Sequence, residues 1–195
     1  MKKFLIILFL VFFSFSAPSL ADDATDFQLE GISLYDSALN HFTERQIKNN
    51  LVDWYSSKEY STTSLAYLPK FKIFKEIQIS FKTDDKKYII LSIDGVVFKH
   101  YNDCLKELDK TAKEFNAIFK DTYKGEKYTY AHAADKTGDT KVTDMFWKFN
   151  SGDSIRAMCV DWSKNYEDKF GYKDEWRIRI GGEEFGNFLS YKAYK

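Results

Sequence analysis

Three histidines, two cysteines, scattered carboxylates and a strand bearing two arginines are the groups in this sequence that can do chemistry. His41, His100 and His132 show neither H-E-x-x-H nor H-x-H spacing, so no metal site is expected. Ser37 lacks the G-x-S-x-G elbow that exposes a nucleophile. A hydrolytic site would have to be assembled from distant residues, with His132 beside Asp135 or Asp161. Asp135 to Lys141 resembles a calcium loop at first sight. An EF-hand needs glycine at position six and an acid at position twelve; here Gly138 is fourth and Phe146 twelfth. A polar hairpin loop is the simpler reading. The acid pairs Asp84-Asp85, Asp174-Glu175 and Glu183-Glu184 fall at turns and helix starts, where they are solvated. No phosphate-binding glycine loop occurs, and no cofactor is implied.

What stands above this background is the aromatic load of the C-terminal third. Trp176, Ile178 and Ile180 alternate with Arg177 and Arg179. In a strand only one face is core. If Trp147 and Trp176 point inward, Phe146 and Trp162 line the opposite face with Arg177 and Arg179. Aromatics beside arginines make a recognition surface. Phe146, Trp162, Arg177 and Arg179 are therefore the candidate binding surface. The competing expectation is that a terminal helix covers that face and makes it core.

Elements must position these groups. Ser33 to Asp36 and Thr43 to Gln46 are capping-box patterns, opening helices that carry Leu34, Ala38, Leu39 and Phe42, then Ile47 and Leu51. Residues 52–69 mix Ser and Thr with Trp54, Tyr55, Tyr60 and Tyr67 and read as a long surface connection, a candidate binding loop. Phe71 to Phe81 and Ile89 to Ile93 alternate with period two and predict a hairpin. Asp94-Gly95 is either a second turn or a bulge. Asn102 caps the strongest helix, with Leu105, Leu108, Ala112, Phe115 and Phe119 as its buried stripe. Strands follow over Tyr128 to Ala134, around Trp147, over Ile155 to Val160 and over Trp176 to Ile180. A charged loop is expected from Lys164 to Asp174, and a final helix from Glu183 to Tyr191. The fold class is therefore α+β: a single domain, an antiparallel sheet with helices packed on one face.

The chain has 195 residues, 44% apolar and 18% aromatic, with 29 basic and 29 acidic side chains. Such a chain buries a core and carries no footprint for nucleic acid. Lys2-Lys3, the apolar run Phe4 to Phe15 and the small residues of Ser19-Leu20-Ala21 form a secretory leader over residues 1–21. About 12 apolar residues span about 18 Å as helix, short of the roughly 30 Å bilayer core. No stable membrane insertion is expected after cleavage, and residues 22–195 form the domain. Cleavage removes two lysines and no acids, leaving 27 basic against 29 acidic side chains, a net charge of −2. The destination is periplasmic or secreted. There, Cys104 and Cys159 are expected to pair. The loop they close contributes about 4 kcal/mol on the chain-entropy model.

Glu30-Gly31-Ile32-Ser33-Leu34-Tyr35-Asp36-Ser37 resembles a pattern, E-G-[IM]-S-x-x-D-S, found near the mature N-terminus of small exported bacterial proteins of no assigned function. The resemblance extends to a hydrophobic strand followed by a helix with an early cysteine, as at Cys104. It implies an exported single domain and carries no catalytic residues. The sequence as a whole favours a non-enzymatic exported binding domain, its partner an envelope protein or a small ligand. A small hydrolase and a structural accessory subunit of an envelope complex are the alternatives.

Overall fold

The computed structural model describes residues 23–195; the expected leader lies outside the described residues. Strands β1 (Gln28–Leu29) and β2 (Ile32–Ser33) make a small ribbon. Helix α1 (Glu44–Asn49) and strands β3 (Leu51–Val52), β4 (Tyr60–Ala66), β5 (Glu76–Lys82) and β6 (Ser92–Phe98) follow. Next come helix α2 (Tyr101–Ile118) and strands β7 (Tyr123–Lys124), β8 (Tyr128–Ala131), β9 (Lys141–Lys148) and β10 (Ser154–Asp161). Helix α3 (Lys164–Phe170), strand β11 (Glu175–Gly181) and helix α4 (Glu183–Tyr191) complete the chain. The nine strands from β3 to β11 form one antiparallel sheet in the order β3-β4-β5-β6-β11-β10-β9-β7, with β8 also on β9. The α+β class and the Cys104–Cys159 disulfide are as expected, the two Cα atoms 5.8 Å apart.

One face of the sheet is an ordinary core. Ile77, Ile79, Ile93, Ile155, Ala157, Ile178 and Ile180 point into it and are buried. Helix α2 lies on this face with Cys104, Leu108 and Ala112 inward, and the disulfide ties it to β10. Trp147 is fully buried there; its indole N–H donates to Asn116 Oδ1 at 2.9 Å, and Phe115 packs edge-on at 5.1 Å. Each of the buried isoleucines contributes about 1.5–3 kcal/mol by leaving water. Helices α3 and α4 depart from a one-faced arrangement: Tyr166 and Phe170 of α3 and the aromatic residues of α4 lie on the opposite side. Phe185 and Phe188 of α4 pack on Tyr60 and Tyr55, which covers part of the opposite face at the β4 end.

Several expectations need correction. No helix runs from Ser33. Tyr35 sits at φ +66°, and the segment pairs with residues 88–90 through Tyr35 N–H to Ile90 O and Ala38 N–H to Tyr88 O. Only a 3-10 turn, Ala38–Asn40, remains. The second capping box is present: Thr43 and Gln46 exchange bonds at the start of α1. The presumed connection over 52–69 contains strand β4, whose hydroxyls bond on both faces, Thr62 to Ser80 and Thr63 to Ile47 O. The hairpin strands begin late, at Glu76 and Ser92. Helix α2 starts two residues earlier than expected, with His100 in place of Asn102 at the cap position and no side-chain cap. The loop after Ser163 folds as α3, closed by Gly171 at φ +70°.

Asp94-Gly95 is neither turn nor bulge. Both residues lie within β6, in unbroken register between β5 and β11. The glycine is required by packing, because a Cβ there would meet the Phe74 ring at 2.6 Å. Phe74 in turn stacks on Trp176 at 6.0 Å. Glu30 holds this loop in place: its carboxylate accepts the N–H groups of Lys72, Ile73 and Phe74 at 2.7–3.0 Å. Gly31, at φ +79°, turns the β1–β2 ribbon that presents Glu30. The Glu30-Gly31 segment therefore has a structural task in this chain.

Candidate functional site

The second face of the sheet is polar, and much of it is buried. The register puts Thr62, Gln78, Ser80, Ser92, Asp94, Glu175, Arg177, Arg179, Asp144 and Arg156 on this face. Gln78, Ser80, Ser92, Asp94, Asp144 and Glu175 are each no more than 5% exposed. Polar groups shut away from water stay only where they are bonded. The decisive pairing is β6 with β11, which sets Asp94 directly opposite Arg179.

A charged network results. Arg177 is the saturated member. Its Nε and Nη2 donate to Glu175 Oε1 at 3.0 and 2.5 Å, and its Nη1 to Gln78 Oε1 at 2.9 Å and Asp94 Oδ1 at 3.1 Å. Arg179 donates from Nε to the same Asp94 oxygen at 2.8 Å. Further along, Arg156 reaches Asp144 at 2.9 Å and lies over the Phe146 ring at 5.1 Å. Burial raises the Glu175 carboxyl above its ordinary range, and the Arg177 charge acts against that rise.

Walls rise around this floor. Trp54, Tyr55, Trp162, Tyr166 and Tyr172 border a recess of about 580 Å³, and Phe146, Met158, Phe185 and Leu189 a second of about 420 Å³. Glu175, Arg177, Arg179, His132 and Tyr194 line both, so the two are lobes of one trough. At their boundary the β8–β9 loop meets the C-terminal tail. Lys136 Nζ donates to Tyr194 O at 2.9 Å, and the His132 and Tyr194 rings lie 6.0 Å apart. The tail is anchored from the other side by Ser56 N–H to Ala193 O at 2.8 Å.

His132 is neutral at physiological pH. Burial, reinforced by the charges of Arg177 and Arg179, pushes its imidazole down to about 4. Its Nδ1 accepts the Ala134 N–H at 3.2 Å, which leaves the proton on Nε2. Asp135, the acid proposed to assist it, is committed elsewhere. It accepts from the backbone and hydroxyls of Thr137 and Thr140 and from Ser163 Oγ. That clasp joins the β8–β9 loop to the start of α3, where Tyr166 OH donates to Ala134 O at 2.7 Å.

All four residues of the expected binding surface lie on this second face. Arg177 and Arg179 form the ridge between the lobes; Trp162 borders the larger lobe and Phe146 the smaller. Asp94, Gln78 and Tyr194 belong to the same trough and were not expected there from sequence; Tyr55 comes from the segment read as a candidate binding loop, and Glu175, expected to be solvated, is buried. One signal was available: Asp94 interrupts an otherwise apolar strand. Comparison with family models, with curated proteins and with solved structures finds no match to this chain.

Proposed function

We propose that this chain is an exported, non-enzymatic binding domain that holds a small polar ligand in the trough of its second sheet face. The observation that carries the reading is a buried, internally bonded charged floor beneath a recess with aromatic walls. Recesses of about 300–1,000 Å³ with a few fixed polar groups are characteristic of small-molecule sites. A recess of this volume suits a small ligand better than the flat face of an envelope protein. The commitment of Asp135 to its own turn weighs against a hydrolase that pairs His132 with Asp135.

Export rests on the leader pattern of residues 1–21, on the resemblance of the N-terminal motif, and on a disulfide that an oxidising compartment would preserve. Among the described residues no helix is long and apolar enough to cross a membrane.

The test is a thermal-shift panel of sugars, amino acids, nucleotides and organic acids on the oxidised domain, repeated on Ser56→Trp, which crowds the rim of the larger lobe. A ligand at 100 times its dissociation constant stabilises by about 2.7 kcal/mol. The expected result is at least one hit that the rim variant weakens. A flat panel, or hits indifferent to the variant, would overturn the proposal.

A further inference from the structure

We infer that the ligand of the trough carries an oxyanion, a carboxylate or a phosphate monoester, and that the terminal nitrogens of Arg179 are its seat. The inference rests on the binding reading above and adds the chemical class.

Two arginines stand two residues apart on the same face, and they differ in occupancy. Arg177 uses Nε, Nη1 and Nη2 on Glu175, Gln78 and Asp94. Arg179 uses Nε alone; among the described residues Nη1 and Nη2 meet no acceptor, although the side chain is only 22% exposed. A guanidinium presents its donors as a planar fork that matches the two oxygens of a carboxylate or phosphate. Here that fork is left open towards the recess.

The charges around it lead the same way. Asp94 Oδ1 serves both guanidiniums, so Arg179 has only a shared counter-ion. Asp94 Oδ2 faces Ser92 Oγ. Glu175 is committed to Arg177, Asp144 to Arg156 and Tyr130, and Glu76 to Ser64 and Gln78. Among the described residues no acid other than the shared Asp94 bonds Arg179. The Nε2–H of neutral His132 adds a second donor on the same boundary. Trp162, stacked on Tyr166 at 5.6 Å, supplies a flat wall to the larger lobe. An oxyanion attached to a single ring fits these elements together.

The experiment uses the oxidised, leader-free domain and six probes in isothermal titration: benzoate, phenyl phosphate, benzyl alcohol, glucuronate, glucose 6-phosphate and glucose. Carboxylate and phosphate arms separate the two sources of oxyanion, and the two alcohols are the uncharged references. At least one anionic probe should bind about ten-fold or more tightly than its uncharged reference. Arg179→Gln should remove that preference, and Arg179→Lys should restore only part of it. If the uncharged probes bind as well as the anions, the oxyanion seat is refuted while the trough survives as a binding site. Failure of all six probes also refutes it, and the broader panel with the Ser56→Trp control then decides separately whether the trough binds anything. The anion-versus-neutral comparison needs no variant, so it stands even if Arg179→Gln does not fold.

Discussion

Replacing Asp135 with alanine should release two walls of the trough together. The carboxylate is 4% exposed and accepts five hydrogen bonds. Its Oδ1 takes the Thr137 N–H at 3.0 Å and the Thr137 hydroxyl at 2.7 Å. Its Oδ2 takes the Thr140 N–H at 3.0 Å, the Thr140 hydroxyl at 2.7 Å and the Ser163 hydroxyl at 3.1 Å. The hydroxyls can turn elsewhere, since Thr140 Oγ1 and Ser163 Oγ already lie 3.2 Å apart. The two backbone N–H groups cannot. A hydrogen bond to a charged acceptor contributes about 1.5–3 kcal/mol. The buried Thr140 N–H loses the whole of this and the part-buried Thr137 N–H some of it, for a total of about 3–4 kcal/mol. For a domain of this size that lowers Tm by about 6–16 °C. Asparagine keeps one acceptor oxygen and should lose about half as much.

The pH dependence makes this prediction specific. The Thr140 hydroxyl bond, helped by Thr137 and opposed by burial, holds the Asp135 carboxyl well below the usual 3.8. A depressed carboxyl stabilises the fold fully above its unfolded value and ceases to do so as pH falls through its folded value. The stability gap between wild type and Asp135→Asn should therefore be widest near pH 7 and narrow below about pH 4. Denaturant unfolding of the oxidised protein measures it. A loss under about 1 kcal/mol for alanine, or a gap independent of pH, would refute the account of the clasp.

Three further outcomes are expected. His132 has its imidazole at about 4 against 6.5 when unfolded, so stability should fall by up to about 3 kcal/mol between pH 6.5 and 4. His132→Gln should flatten that segment of the pH–stability curve. Gly95→Ala should cost about 1–3 kcal/mol, because the added Cβ must displace Phe74 from Trp176; near-UV circular dichroism should register the lost stacking. Removing the disulfide with Cys104→Ala and Cys159→Ala should cost about 4 kcal/mol in denaturant unfolding, and an unchanged midpoint would count against its role.

Much of this architecture was legible from period and spacing. The alternation of Trp176, Ile178 and Ile180 with Arg177 and Arg179 placed both arginines on the face away from α2, where they lie. The bounds of α4 followed from local signals, and the cysteine pair from the expected oxidising compartment. Strand β4 did not, because Ser and Thr occupy both of its faces and erase the apolar period. The segment after Ser33 carries a helical spacing of apolar residues, yet backbone bonds to residues 88–90 override it. The trough was only half legible. Asp94 and Arg179 are 85 residues apart and meet because β6 and β11 are neighbours, a pairing that no local signal encodes. Gln78 and Ser80 read as the wet side of a strand, and are buried because Arg177 and Glu76 bond Gln78 while Thr62, itself bonded to Tyr55, bonds Ser80.

The central claim is that the trough of the second face is the place where this protein meets its ligand. Two-dimensional NMR of the oxidised domain, titrated with the strongest probe, tests it most directly. The account predicts saturable shifts at the Arg179 Nε–H, the His132 ring, the Trp162 indole and the Tyr194 amide, with the α2 face unmoved. Shifts confined to the α2 face or to the exposed edge at Tyr123 and Tyr128, with Arg179 and His132 unchanged, would contradict it.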